Sequence, residues 1–363
     1  MEQVRDSVVV AVEEPTQVAV ARRAAADLCH RLQLPQETAA DAELIAVELA
    51  NNLLQHAGSG QLFFTPHSTP GSIEILSVDR GPGIPSVQRA LVDGYSSRNT
   101  PGLGLGAIQR KARRFDLFSI LGKGTVAAAL VGASLPSHET APWDTSILSV
   151  PLHGETANGD AWAIHTGPTR TTYLLADGLG HGFYASEASS LARTIFLREL
   201  ERDPTLSLTE LIELIHPPLR ATRGAALSLF AVNHPSEPQA AFTATGCGVG
   251  NVSCLLQGPD GNTRSLASHN GTVGHQMRRL QEFPFTLVPG TLLVLHSDGL
   301  STHWKLAQYP GLDHASPALI AATLFRDAAR PRDDATVLVA RLNPVARLNP
   351  VARLDPTPEP AHG

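Results

Sequence analysis

Between Glu14 and Gln33, the apolar residues Val18, Ala21, Ala25, Leu28 and Leu32 recur at helical spacing, which predicts a helix with one apolar stripe. A second helix is expected from about Thr38 to Ala57. Segments 61–65, 72–79 and 125–131 are short apolar runs of strand type. The run AIQRKARRF at 107–115 reads as helix-like. Residues 133–143, ASLPSHETAPW, are mostly small or polar with two prolines and read as a linker. Beyond it, strands are expected at 145–152, 160–166 and 171–177, then helices at about 184–201 and 207–220. Strand patterns return at 225–232, 239–246, 251–257, 291–297 and 334–342. Helices set between antiparallel-looking strands predict a layered α/β sandwich.

The length, 363 residues, fits two domains better than one. A hydrophobic content of 42% with 17% charged residues allows each half a core. The net charge of −6 gives no electrostatic case for nucleic acid. No apolar run approaches the roughly 18 residues that span a bilayer. Glu2 and Asp6 come early, and no signal-peptide pattern is present, so a cytoplasmic protein is expected. Cys29, Cys247 and Cys254 lack metal-ligand spacing and are expected to be reduced. The tail repeats a hexapeptide: ARLNPV at 340–345, ARLNPV at 346–351, then ARLDP. Proline at every sixth position prevents a regular helix, and 343–363 is expected to be disordered.

Glu48, Asn52 and His56 stand four residues apart on the second expected helix. They form either an exposed polar stripe or an acid–amide pair able to hold Mg²⁺ and activate a hydroxyl. Further elements follow in order. Asp79-Arg80-Gly81-Pro82-Gly83 ends the strand-like IEILSV, and its carboxylate can accept a hydrogen bond from an adenine amino group. Its glycines permit close approach to a flat ring. Gly102, Gly104 and Gly106 alternate before a helix-like run, the form of a phosphate-binding loop. Gly122-Lys123-Gly124-Thr125 opens a strand.

This series, over about 130 residues, resembles the GHKL ATPase superfamily and within it the RsbT/RsbW serine-kinase group. The resemblance rests on ELANNLLQHAGSGQ, DRGPGI, GYSSRNTPGLGLGAIQRKARRFD and GKGT. It implies a Bergerat-type α/β sandwich at 1–132 that binds ATP and Mg²⁺. It also implies Glu48 as general base, Asn52 as Mg²⁺ ligand and Asp79 as adenine reader. Gly81 and Gly83 would form the adenine wall, Gly104 and Gly106 the phosphate lid, and Thr125 a water-mediated adenine contact. Kinases of this branch often dimerise, so a homodimer stays open.

In the second half, acidic residues sit at strand ends. They are Asp160 after Gly159, Asp177 in ADGLGHG, Asp298 in SDG, and the Asp333-Asp334 pair. Carboxylates in that number suit Mg²⁺ or Mn²⁺. Two such ions roughly 3.5–4 Å apart can acidify a water for in-line attack on phosphorus.

The spacing resembles the type 2C metal-dependent protein phosphatases, above all the SpoIIE/RsbX branch, over about 144–342. That implies an α-β-β-α sandwich in which Asp177 bridges two metals. Asp160 and the Gly178 carbonyl would be further ligands, with Asp298 and Asp333 completing the second metal. Asp333 is preferred to Asp334. His181 is either a proton donor to the seryl oxygen or a loop histidine. Together the resemblances imply a regulator in which a kinase-like module and a phosphatase act on a STAS-domain phosphoprotein or an anti-sigma or anti-anti-sigma partner. The alternative is a phosphatase governed by a nucleotide-sensing or partner-sequestering module.

Overall fold

The computed structural model describes residues 6–91, 104–133, 143–235, 241–277 and 279–343. The stretch 134–142 of the expected linker, the GYSSRNTPGL segment ahead of Gly104, and the tail from 344 lie outside the described residues.

The first element is a strand that periodicity did not predict, β1 (Val8–Val12), followed by α1 (Thr16–Arg31) and α2 (Gln36–Asn52). Next come β2 (Gly60–Pro66), β3 (Ser72–Val78), the short α3 (Val87–Ala90), α4 (Gly104–Lys111), β4 (Arg114–Ile120) and β5 (Gly124–Gly132). These strands form an antiparallel sheet in the order β1-β2-β3-β5-β4.

Two expectations change here. The helix-like run at 107–115 stops at Lys111, because Arg114–Ile120 pairs along the open edge of β5. Phe115 and Leu117 then face one side of the sheet while Phe118 and Ile120 face the other. Edge pairing overrides a weak helical period. The second expected helix gives way after Asn52 to a π-helical turn, Leu53–Ala57. This turn disrupts the four-residue spacing, and His56 is exposed rather than stacked above Asn52.

The second half runs β6 (Trp143–Val150), β7 (Asp160–Thr166), β8 (Arg170–Gly178), α5 (Phe183–Arg202), α6 (Leu208–Leu219), β9 (Ala225–Asn233) and β10 (Phe242–Val249). It continues with β11 (Ser253–Gln257), β12 (Thr263–Ser265), β13 (Ser268–His269), β14 (Phe283–Leu287), β15 (Leu292–His296), α7 (Pro317–Ala328) and β16 (Ala335–Leu342). Trp143, the last linker position expected, already belongs to β6. One sheet has the order β13-β10-β9-β8-β7 with β14 beside β10, and the other β12-β11-β15-β16-β6. Their facing sides bury Trp143, Trp162, Tyr173, Phe230 and Leu338. Helices α5 and α6 cover the first sheet. Ser207 caps α6, accepting the Glu210 N–H at 3.2 Å, while Glu210 accepts the Ser207 N–H at 2.8 Å.

Helix α7 was not predicted. Its sequence PALIAATLFRDA is apolar almost all round, the signature of a helix enclosed on every side. On one side lie Val294, Val337 and Val339 of the second sheet. On the other lie Phe63, Leu76, Val78, Val126 and Ala128 of the N-terminal sheet, in the same cluster. Phe63 meets Phe325 edge-on at 5.3 Å between ring centroids. The layers therefore run α1/α2, sheet, α7, sheet, sheet, α5/α6. The two halves share one core through α7. Cys29, Cys247 and Cys254 are buried and free.

Polar contacts also join the halves. Ser7 N–H donates to Ser149 O at 2.8 Å, and Arg114 Nη1 meets Asp144 Oδ2 at 2.7 Å. Ser146 donates to Glu74, which lies 3.7 Å from His67 Nε2.

Candidate functional site

In the N-terminal half, α2 carries Glu48 and Asn52 toward the start of α4. A Cβ on Gly104 would lie 2.8 Å from Glu48 Oε2 and 3.9 Å from Asn52 Oδ1, so Gly104 lets the two meet the helix start closely. Gly106 is buried further along α4. Asp79 leaves β3 with its carboxylate held by backbone: Oδ1 accepts the N–H of Gly81 at 2.8 Å and of Thr125 at 3.1 Å. Gly83 takes a positive φ of 77°, and a Cβ there would strike Ile120 O at 2.5 Å. Thr125 Oγ1 hydrogen-bonds Ser119 Oγ at 2.9 Å, and Ser119 Oγ accepts the Ile84 N–H at 2.7 Å. Ser119 is a site residue the sequence did not single out, because it belongs to the unexpected β4. The structure thus gathers Glu48, Asn52 and Gly104 at one point. At a second, Asp79, Gly81, Gly83 and Thr125 come together.

In the C-terminal half, register does the assembling. Asp160 opens β7 and pairs directly with Asp177 on β8. Gly178 is fixed by space, since a Cβ there would lie 2.0 Å from Ala185 O. Asp298 follows β15 and accepts from Asn251 Nδ2. Asp333 and Asp334 precede β16, the neighbour of β15.

The last two aspartates differ. Asp333 accepts the Asp334 N–H at 3.0 Å and lies beside Asp298. Asp334 is buried: Oδ1 accepts the Leu152 N–H at 2.8 Å, and Oδ2 lies against Gly159. His181 is exposed, with Nδ1 2.9 Å from Glu155 Oε1, a partner the sequence offered no means of finding.

The carboxylates are under strain as charges. Burial pushes Asp177 up to about 9, reinforced by Asp160, Asp298, Asp333 and Asp334. Burial likewise raises Asp160 to about 7 against a 2.6 Å hydrogen bond from Ser297 Oγ, with Asp334 and Asp333 adding to the rise. Asp333 and Asp334 are also shifted upward, burial first. Among the described residues, no three acidic, histidine or cysteine side chains stand in chelating geometry. The donor set nevertheless fits a hard divalent cation in kind. Its carboxylates crowd at one sheet end and repel one another.

Comparison with known proteins finds a separate match in each half. Residues 11–127 match the histidine kinase-like ATPase domain, and residues 167–343 match the stage II sporulation protein E (SpoIIE) family. The serine/threonine-protein kinase RsbT of Bacillus subtilis is 35% identical over 85 residues, 23% of this chain and 64% of RsbT, just under two thirds of that relative's length. The phosphoserine phosphatase RsbX of the same organism is 24% identical over 204 residues, 55% of this chain and 94% of RsbX. The crystal structure of RsbX with magnesium superposes with a TM-score of 0.48 at 22% identity, covering 55% of this chain and 96% of that one. Among the described residues, no helix is long and apolar enough to cross a membrane. The chain carries two known domains in one polypeptide, a histidine kinase-like, GHKL-type ATPase domain followed by a SpoIIE-type phosphatase-family domain.

Proposed function

We propose that this protein is a signalling regulator whose C-terminal domain, from about 144 to 342, is a metal-dependent phosphoserine/phosphothreonine protein phosphatase. Its N-terminal domain, 1–132, binds ATP–Mg²⁺ and acts as a serine/threonine kinase on the same class of partner. The observation that carries the reading is the carboxylate cluster, built from separate segments at one sheet end and unfavourable as bare charges. Asp160, Asp177, the Gly178 carbonyl, Asp298 and Asp333 would hold Mn²⁺ or Mg²⁺. When bound, such ions neutralise the cluster and activate water for attack on phosphorus.

The chain's own residues do the rest. Asn158 Oδ1 accepts the Asp160 N–H and Ser297 Oγ holds its carboxylate, fixing that side chain. With Nδ1 engaged by Glu155, His181 presents Nε2 as the nitrogen that hands a proton to the departing seryl oxygen. In the ATPase domain Asp79 would read adenine beside Gly81 and Gly83. Asn52 would hold Mg²⁺, Glu48 would act as general base toward the acceptor hydroxyl, Gly104 and Gly106 would form the phosphate lid, and Thr125 would add a water-mediated adenine contact. The likenesses to a serine/threonine-protein kinase and a phosphoserine phosphatase support a phosphorylated serine or threonine as the shared mark, which a STAS-domain or anti-sigma-type partner would carry.

The test is incubation of the full chain with γ-labelled ATP, Mg²⁺/Mn²⁺ and STAS-domain proteins, for the natural chain and Asp177→Asn. Label should accumulate on a partner only in the variant. Rapid phosphate release by Asp177→Asn would refute the metal assignment.

A second reading, in which nucleotide occupancy tunes the phosphatase without transfer, is favoured by two contacts. Arg326 Nη1 of α7 donates to Asp79 O at 3.2 Å, and Arg80 Nη1 reaches Asp327 at 3.2 Å. The residues just after α7 are tied to the Asp298 loop, with Arg330 N–H donating to Gly299 O at 2.7 Å, and Asp333 follows closely in the chain. The adenine loop thus touches the segment that bears phosphatase carboxylates. If this reading holds, ATP alters the phosphatase rate with no phosphoprotein formed, and Arg326→Ala abolishes the response.

A further inference from the structure

The carboxylate cluster, with Glu155 beside it, is acidic, whereas a phosphomonoester brings about two further negative charges near neutral pH. A cation placed at its rim would offset that repulsion, and Arg223 occupies such a place. It lies in the turn between α6 and β9, and the turn is rigidly bonded. Leu219 O accepts the Thr222 N–H at 2.9 Å and the Thr222 hydroxyl at 2.8 Å. The Gly224 N–H donates to Thr222 Oγ1 at 3.0 Å. His275 Nε2 bonds Arg223 O at 2.9 Å.

The same turn is fastened to the ADGLGHG loop. Leu179 N–H donates to Gly224 O at 3.1 Å, and the β8–β9 register sets Gly178 opposite Ala225, two residues from Arg223. The guanidinium rests on that loop, since a Cβ on Gly180 would lie 2.9 Å from Arg223 Nη1. It also sits 5.1 Å above the ring of Tyr184. Tyr184 is 59% exposed, so its ring supports the guanidinium at the surface rather than filling the core. Among the described residues, no carboxylate pairs with the Arg223 side chain. A backbone-fixed, aromatic-backed guanidinium without an anionic partner, against the loop that bears Asp177, is preorganised for an anion from outside the chain.

We infer that Arg223 is the phosphate-anchoring residue of this site, donating to the phosphoryl oxygens of a phosphoserine or phosphothreonine while Tyr184 holds its plane. The inference rests on the phosphatase reading and adds to it the residue that receives the substrate's charge. Gly180 belongs to the same device, because a side chain there would displace the guanidinium.

The test combines binding and turnover in the full chain loaded with Mn²⁺. In calorimetric titration with inorganic phosphate, Arg223→Ala should weaken binding by about ten- to a hundred-fold, the loss of a charge-assisted contact. With a phosphoserine peptide, its KM should rise by a similar factor while kcat stays within about threefold, and Arg223→Lys should recover part of the loss. Tyr184→Ala should give a smaller rise in KM, of about two- to five-fold. Unchanged phosphate affinity and KM in Arg223→Ala overturn the assignment, as does absence of phosphate binding by the natural chain. Turnover in the natural chain but not in Asp177→Asn tests the phosphatase reading separately. If turnover is absent while phosphate binding still depends on Arg223, that reading fails and the anchor stands.

Discussion

The two acidic sites of this molecule are built on opposite principles. Asp79 of the ATPase domain sits among backbone donors, its Oδ1 accepting two N–H groups. Its charge is satisfied by the fold itself. Asp160 and Asp177 face each other across β7 and β8 with Asp298, Asp333 and Asp334 nearby, and burial with mutual repulsion raises both. Hydrogen bonds reach some of these oxygens, but among the described residues no lysine or arginine forms an ion pair with them. One carboxylate is satisfied by the fold's own donors, while the others form a cluster that is unfavourable as bare charges. Fold alone would not reveal that contrast; it follows from what surrounds each carboxylate.

Replacing a member of the crowded site should have the largest effect. Asp177→Asn should lower phosphate release by about a thousand-fold or more, as loss of a central metal ligand does. The metal-free variant should melt no lower than the natural chain, because the substitution removes a repelling charge. Phosphate-release assays and thermal melts read the two halves of this expectation.

Next in size is the shared core. Phe63 is 1% exposed and packs against Phe325 across the domain boundary. Phe63→Ala should cost about 3–5 kcal/mol. Because α7 is common to both halves, chemical denaturation should remain one coincident transition by far-UV and tryptophan signals. Two separated transitions would show that the halves are thermodynamically independent.

For the self-satisfied site a milder loss is expected. Asp79→Asn should raise the ATP dissociation constant by about tenfold or more while the phosphate-release rate without nucleotide is unchanged, since the amide oxygen can still accept from Gly81 and Thr125. Equilibrium nucleotide binding checks it.

The smallest effect lies at the boundary between the domains. Burial pushes the Glu74 carboxyl from 4.5 up to about 7, and burial, then Arg114, pushes His67 from 6.5 down to about 4. Folded Glu74 keeps a proton that the unfolded chain releases, so its contribution to stability falls as pH rises from 4.5 to 7. Folded His67 lacks a proton that the unfolded chain holds, so its contribution rises with pH from 4 to 6.5. The slopes oppose each other across the shared window. His67→Gln removes one of them, and its melting temperature should fall relative to the natural chain as pH is raised from about 5 to 7. A parallel pH profile in both proteins would contradict the buried, unprotonated His67.

Much of this molecule was legible in advance. The helical stripe of α1, the strand runs of β2, β3 and β5, and the order of acidic motifs are local properties, and local patterns survive in a sequence. β1 and β4 were not legible, since short strands gain their identity from the edge they join. Nor was α7, whose nearly uniform apolarity gives no stripe to read. The His56 position shows the limit of periodicity, because a π-helical turn after Asn52 breaks the spacing on which the expectation relied.

The amino-acid sequence by itself determined the two domain types and their order, and singled out the aspartates and glycines proposed to carry the chemistry. It could do so because a phosphate loop or a strand-end carboxylate is specified within a few residues. Only the tertiary structure decided that one helix serves as the core of both domains, and that Arg326 of α7 touches the Asp79 loop. It likewise placed Arg223 over Gly180. These contacts join residues far apart in the chain, and their geometry comes from sheet register and layer packing, which no local pattern encodes.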